Sequence, residues 1–156
     1  MVLKVGDKAP SFMLKDSGLN DVDISSSSDR NTVLLFFPLA YTSVCTTELC
    51  TMRDEMSDYN DLNARVIAVS VDSPFTLAKF KEDNNLNFTL LSDFNKEVSR
   101  AYDAIYEDFV AGLKGVSKRA AFVIDKNGVI KYAEVLENAG NLPNFEAVRK
   151  ALAKLN

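Results

Sequence analysis

Cys45 and Cys50 are the only thiols of the chain, five residues apart in "PLAYTSVCTTELC" and directly behind the apolar run "TVLLFF". Histidine is absent, which removes the triads, dyads and zinc sites that need imidazole. Thiol chemistry is what remains at this point in the chain. A cysteine in water has a pKa of about 8.5, but the unpaired N–H groups and partial positive charge of a helix N-terminus favour the thiolate. Cys45 follows a strand-like run where a helix begins, so it is the reactive candidate; the alternative is a small apolar residue filling a helix–sheet contact. Thr42, three residues earlier, can cap the helix or donate toward the sulfur, and Pro38 ends the strand and stiffens the turn. Glu48, three residues further on, can accept from the Thr42 backbone N–H as half of a capping box, but its charge beside a thiolate requires a compensating cation.

The elements that must hold these residues are read from hydrophobic spacing. "TVLLFFP" (32–38) and "RVIAVSVD" (65–72) are unbroken apolar runs, the pattern of strands covered on both faces. Between them, Leu49, Met52, Met56, Tyr59 and Leu62 recur at three- and four-residue steps, with Val44 five residues ahead of Leu49, which predicts a helix over 43–63 and a βαβ unit. Ser73 as N-cap and Pro74 at the first helical position begin a second helix with Phe75, Leu77, Ala78 and Phe80 as its core face. The strand "FTLLSD" follows, then a short helix over 96–102 and an irregular stretch over 103–118. "AAFVID" and "VIKYAEVL" flank Asp125-Lys126-Asn127-Gly128, a hairpin signal. A last helix from Asn144 buries Phe145, Val148, Leu152 and Leu155. Ser25 to Ser28 read as a loop. The order implies an α/β fold with a central mixed β-sheet and helices on both faces, for which a thioredoxin-like fold is the economical match.

At 156 residues, 47% apolar and 26% charged, the chain reads as a single domain over 1–156. The net charge of −4, with acidic and basic residues interspersed, offers neither a nucleic-acid face nor a polybasic membrane segment. No signal-peptide pattern opens the chain and no apolar stretch reaches the roughly 20 residues of a membrane span, so the expected location is cytoplasmic. In a reducing compartment two cysteines read as reactive or metal-binding thiols before a permanent staple.

"PLAYTSVC" resembles the Pro-x-x-x-Thr-x-x-Cys signature of peroxiredoxins, in the right place behind the first long core strand. "VGDKAPSFML" resembles the family's opening segment, "ELC" with "RDEM" its helix, "VIAVSVDSP" its next strand and turn, and "KRAAFVIDKNGVI" its arginine-bearing strand and hairpin. Within the family the chain is most similar to the small PrxQ (bacterioferritin comigratory protein) and alkyl hydroperoxide reductase E groups. The resemblance implies a thiol-dependent peroxidase with no metal or organic cofactor. Cys45 matches the peroxidatic cysteine, Thr42 the threonine that hydrogen-bonds sulfur and peroxide, and Pro38 the proline that shields the site. Arg119 matches the arginine that holds the thiolate, and would be the cation that Glu48 requires; read alone, an arginine at a strand edge is a solvated charge. Lys118, on the opposite strand face, reads as solvated.

Cys50 occupies the place of the PrxQ resolving thiol. Residues five apart on an intact helix have Cα atoms about 9 Å apart, whereas a disulfide needs them within about 7 Å, so pairing Cys45 with Cys50 requires the first turns to unwind. The alternatives are a one-cysteine route with an external resolving thiol, or a non-catalytic scaffold or holdase. Expected partners are a hydroperoxide and a reductant such as thioredoxin, glutaredoxin or a low-molecular-weight thiol, with the protein a monomer or homodimer. Tyr41, Phe36, Phe37, Met52 and Met56 could line an apolar mouth that favours organic hydroperoxides, but residues at these spacings are mostly core, and Tyr41 is assigned no catalytic role.

Overall fold

The structure, a computed structural model, describes residues 3–24 and 29–155; the serine run 25–28 lies outside the described residues. The chain order is β1 (Phe12–Asp16), β2 (Asp21–Ile24), β3 (Asn31–Phe36), α1 (Ser43–Asp54), α2 (Met56–Asp61), β4 (Ala64–Ser70), α3 (Pro74–Asp83), β5 (Thr89–Ser92), α4 (Glu97–Ala101), β6 (Ile105–Tyr106), β7 (Val116–Ser117), β8 (Ala120–Ile124), β9 (Ile130–Val135) and α5 (Phe145–Ala153). Seven strands form one sheet in the order β2-β1-β5-β4-β3-β8-β9. The β3–β4 and β4–β5 pairs are parallel and the others antiparallel, so the sheet is mixed as expected.

Strand β3 is buried at every residue. Its alternating side chains feed two cores, Val33 and Leu35 on one face, Leu34 and Phe36 on the other. The first core takes the buried residues of α1, α2, α3 and α5, and the second takes Val98 of α4 with Tyr102 and Ala104 beyond it. Helices therefore cover both faces, four on one and one on the other. A mixed sheet so covered is the α/β arrangement, with helices on both faces, that the order of elements implied.

Several local expectations change. The helix expected over 43–63 is two helices, separated at Glu55, whose carboxylate accepts from Arg149 Nη1 of α5 at 2.7 Å. Phe75 is not core but 71% exposed. At about 100° per residue it lies roughly 200° round α3 from Leu77, which with Phe80 forms the buried side. The stretch 103–118 contains the two-stranded β6–β7 ladder. The β1–β2 hairpin had no predicted counterpart; its turn is made by Asp16, whose carboxylate accepts from the N–H groups of Gly18 and Asn20. The later hairpin turns where predicted, with Gly128 at φ +82° and its N–H donating to Asp125 O. Among the described residues no helix is long and apolar enough to cross a membrane.

Candidate active site

Sheet register brings the two ends of the site together. β3 and β8 are antiparallel with Phe36 opposite Ala120. Extending that register one residue sets Phe37, where the chain leaves the sheet for α1, opposite Arg119, where it enters β8. A strand end, the N-terminus of α1 and an arginine thus meet at one sheet edge although 74 residues separate Cys45 from Arg119.

The connection from β3 to α1 is tightly held. Pro38 is buried, the Ala40 N–H donates to Asp72 Oδ2 at 2.7 Å, and Ser70 Oγ donates to the same oxygen at 2.7 Å. Tyr41 has a left-handed backbone, φ 68°, a conformation that non-glycine residues adopt only under local constraint. Its ring packs edge-on against Phe80 with centroids 5.0 Å apart, and its hydroxyl donates to Asp83 Oδ2 of α3 at 2.8 Å.

Helix α1 buries Cys45, Glu48, Leu49 and Met52, a stripe at three- and four-residue spacing that turns one carboxylate inward with the apolar side chains. Cys45 and Glu48 are both 0% exposed and Arg119 is 2% exposed. The arginine meets both: Nη2 donates to Cys45 Sγ at 3.1 Å and Nη1 to Glu48 Oε1 at 2.6 Å. Its third donor, Nε, reaches Ala139 O at 2.9 Å, so the fork is fixed in direction as well as charge. Burial alone would pull the guanidinium down, but Glu48 and Cys45 hold it above the ordinary arginine value. Burial pushes Glu48 up to about 7 against the opposing pull of Arg119, and Glu48 Oε2 has no hydrogen-bond partner. One cation therefore serves two buried acids, the thiol and the carboxyl.

The structure does not form the capping arrangement. Thr42 is the N-cap of α1 without a side-chain cap bond; its exposed hydroxyl donates backward to Leu39 O at 2.8 Å. Glu48 lies six residues past Thr42 and faces inward to Arg119, so the capping box is absent. Lys118 is not simply solvated: its side chain is 19% exposed, pairs with Glu137 at 3.0 Å and lies 5.9 Å from the Tyr106 ring centroid.

Cys50 stands apart from the Cys45–Arg119 group. It is half-buried and its thiol donates to Asn84 Oδ1 at 3.7 Å, at the end of α3. Both cysteines are free and α1 is wound between them. Phe36, Phe37 and Met52 are fully buried core, as their spacing implied, whereas Met56 is half-buried and Tyr41 is 51% exposed because its left-handed backbone turns it out of the helix stripe toward Phe80 and Asp83. The residues missed in the sequence are those that hold the loop and the arginine: Asp72, Asp83, and the backbone carbonyl of Ala139. Asp72 and Asp83 are ordinary surface acids by type, and a carbonyl carries no sequence signal. Glu48 did carry one, a charged residue on the buried stripe of its helix.

Comparison with known proteins places the chain in a family. The AhpC/TSA family model matches residues 5–133. Alkyl hydroperoxide reductase E of Mycobacterium bovis is 33% identical over 157 residues, covering 99% of each chain. The crystal structure of peroxidoxin BcpB from Mycobacterium tuberculosis superposes with a TM-score of 0.82 at 30% identity, covering 98% of this chain and 96% of that one. A peroxiredoxin-like protein from Aquifex aeolicus gives a TM-score of 0.91 at 29% identity, covering 100% and 90%.

Proposed function

We propose, from the premise that this chain belongs to the AhpC/TSA family and is a peroxiredoxin, a thiol-dependent peroxidase, that Cys45 is its peroxidatic residue and Cys50 the thiol that resolves it. The observation that carries the proposal is the buried Arg119 fork, bonded at once to Cys45 Sγ and Glu48 Oε1.

The thiolate of Cys45 attacks the terminal oxygen of a hydroperoxide. The S–O bond forms as the O–O bond breaks, sulfur is oxidised to the sulfenic acid, and the departing alkoxide or hydroxide takes a proton to leave as alcohol or water. Negative charge spreads over both oxygens in the transition state, so donors fixed beforehand carry the acceleration. Arg119 supplies them, with Glu48 and Ala139 O holding its direction. Thr42, whose hydroxyl hydrogen is engaged by Leu39 O, keeps its oxygen lone pairs to accept from a peroxide O–H. Pro38 and the loop to Thr42 shield the sulfur from bulk water. A cavity of about 520 Å³ around Phe75 and Phe94 does not include Cys45 and has no part in this reaction.

The sulfenic acid then condenses with Cys50 after the first turns of α1 unwind, and thioredoxin, glutaredoxin or a low-molecular-weight thiol reduces the disulfide in the cytoplasm. The chain works as one domain, as a monomer or homodimer, on hydrogen peroxide and organic hydroperoxides. The competing reading, an external resolving thiol, draws on the wound α1 between two free cysteines and on the alkyl hydroperoxide reductase E relative.

The test is intact mass after one equivalent of hydrogen peroxide, with thiols blocked within seconds, on wild type and on the Cys45→Ser and Cys50→Ser variants. Wild type should lose both thiols to an intramolecular disulfide, Cys50→Ser should stop at one added oxygen, and Cys45→Ser should not react. One added oxygen in both wild type and Cys50→Ser transfers resolution to another molecule. No thiol lost in wild type would sink the peroxidatic assignment of Cys45.

A further inference from the structure

Helix α1 is held very unequally at its two ends. Its N-cap has no side-chain bond and its first turn has no acidic residue. The residues that follow include β-branched Val44, Thr46 and Thr47, and both threonine hydroxyls bond back to carbonyls one turn earlier, Thr42 O at 2.9 Å and Ser43 O at 3.0 Å. Such residues have low helix propensity, and this back-bonding weakens the turn further. The C-terminal half is fastened to α3 instead. Cys50 donates to Asn84 Oδ1, Arg53 Nη1 donates to Asn84 O at 2.6 Å, and Asn87 Nδ2 donates to Arg53 O at 3.3 Å. Asn84 is itself locked as the C-cap of α3, its N–H and its Nδ2 both donating to Phe80 O, at 3.2 and 3.0 Å. Locking Nδ2 leaves Oδ1 facing the thiol.

We infer that Asn84 is the positioning residue of the resolving step, the point at which unwinding of α1 stops and at which Cys50 is held as a fixed target on the α1–α3 seam. Cys45 is then the partner that moves: the segment from Thr42 to Leu49 peels from the sheet, while Tyr41 stays tied to Asp83 and Cys50 to Asn84, both anchors on the same helix. In the condensation Cys50 sulfur attacks Cys45 sulfur, the S–O bond breaks, and the sulfenic hydroxyl leaves with the thiol proton as water, with no net change of oxidation state across the pair. The bond forms on the half-exposed seam, where a reducing thiol reaches it. Fixing one sulfur raises its effective concentration toward the other. This inference rests on Cys50 being the resolving thiol.

The experiment times two steps separately in full-length wild type, Asn84→Ala and Asn84→Asp: added oxygen at Cys45 and disulfide formation, both read by intact mass after one equivalent of hydrogen peroxide. Asn84→Ala should add oxygen at the wild-type rate, which also reports an intact site. It should close the disulfide about three- to tenfold more slowly, the effect of one lost hydrogen bond. Asn84→Asp keeps an acceptor oxygen while losing the cap amide, so it should recover most of the rate; a mere helix cap would not be rescued this way. Wild-type closure in Asn84→Ala, faster closure, or no recovery in Asn84→Asp overturns the inference and leaves Cys50 resolving. A wild-type protein that stops at one added oxygen removes Cys50 from resolution and the inference with it.

Discussion

Arg119 stands between two buried side chains that compete for its charge. A single hydrogen bond to sulfur would position a thiolate; the second bond, to Glu48, makes the guanidinium part of a buried ion pair whose partners are both shielded from water. Removing one member of such a pair strands the other, at a cost of about 3–5 kcal/mol. Arg119→Ala should therefore slow the reaction of Cys45 with peroxide by a factor of order 10² to 10³, the usual loss for one charge-stabilising donor, and destabilise the fold as well. Adding Glu48→Gln to that variant separates the effects: the double variant should regain stability in thermal melts yet remain slow in peroxide-consumption kinetics. A double variant with wild-type kinetics would take Arg119 out of the reaction.

At the scale of the element, α1 combines the buried Cys45 with a poorly capped first turn. Met52 buries fully, contributing roughly 1.5–3 kcal/mol of apolar burial, and anchors the half of the helix that the proposed resolution leaves folded. The half that the proposed resolution opens contains the threonines. Replacing Thr46 and Thr47 together by alanine should stabilise it by about 1 kcal/mol through propensity and loss of back-bonding, and so slow disulfide closure about fivefold without slowing oxygen addition at Cys45. Equal closure rates in quenched-mass time courses would mean that unwinding of this turn does not limit resolution. Most of this element was legible: its start behind Pro38, its buried stripe and its direction follow from apolar spacing. The break at Glu55 was not; the carboxylate there meets Arg149, 94 residues away, a contact that apolar spacing does not carry.

For the whole molecule, the buried carboxyl links the site to global stability. Glu48 rises from an ordinary 4.5 to about 7 in the folded protein because burial disfavours its charged form. Between those two pH values the folded state keeps a proton that the unfolded chain releases. Stability linked to this group is therefore present below about 4.5 and is lost as pH rises toward about 7, after which the loss is constant. Wild type should fall in denaturation midpoint across that window, and Glu48→Gln should flatten the curve; parallel curves for the two proteins would show that Glu48 does not titrate there.

The sequence by itself determined the parts that depend on near neighbours. Unbroken apolar runs marked β3 and β4, Ser73 and Pro74 marked the start of α3, Gly128 the hairpin, and Pro38 the end of the strand that leads into α1, because each is set by local sterics, capping or periodicity. Only the tertiary structure decided what those parts meet. Which face of α3 is buried, leaving Phe75 outside, depends on where the sheet lies. Arg119 becomes a buried fork only through the β3–β8 register. Cys50 meets Asn84 only because the fold brings the end of α3 against α1. These contacts join residues tens of positions apart, and burial of the sheet's two faces, acting on the chain as a whole, selects them.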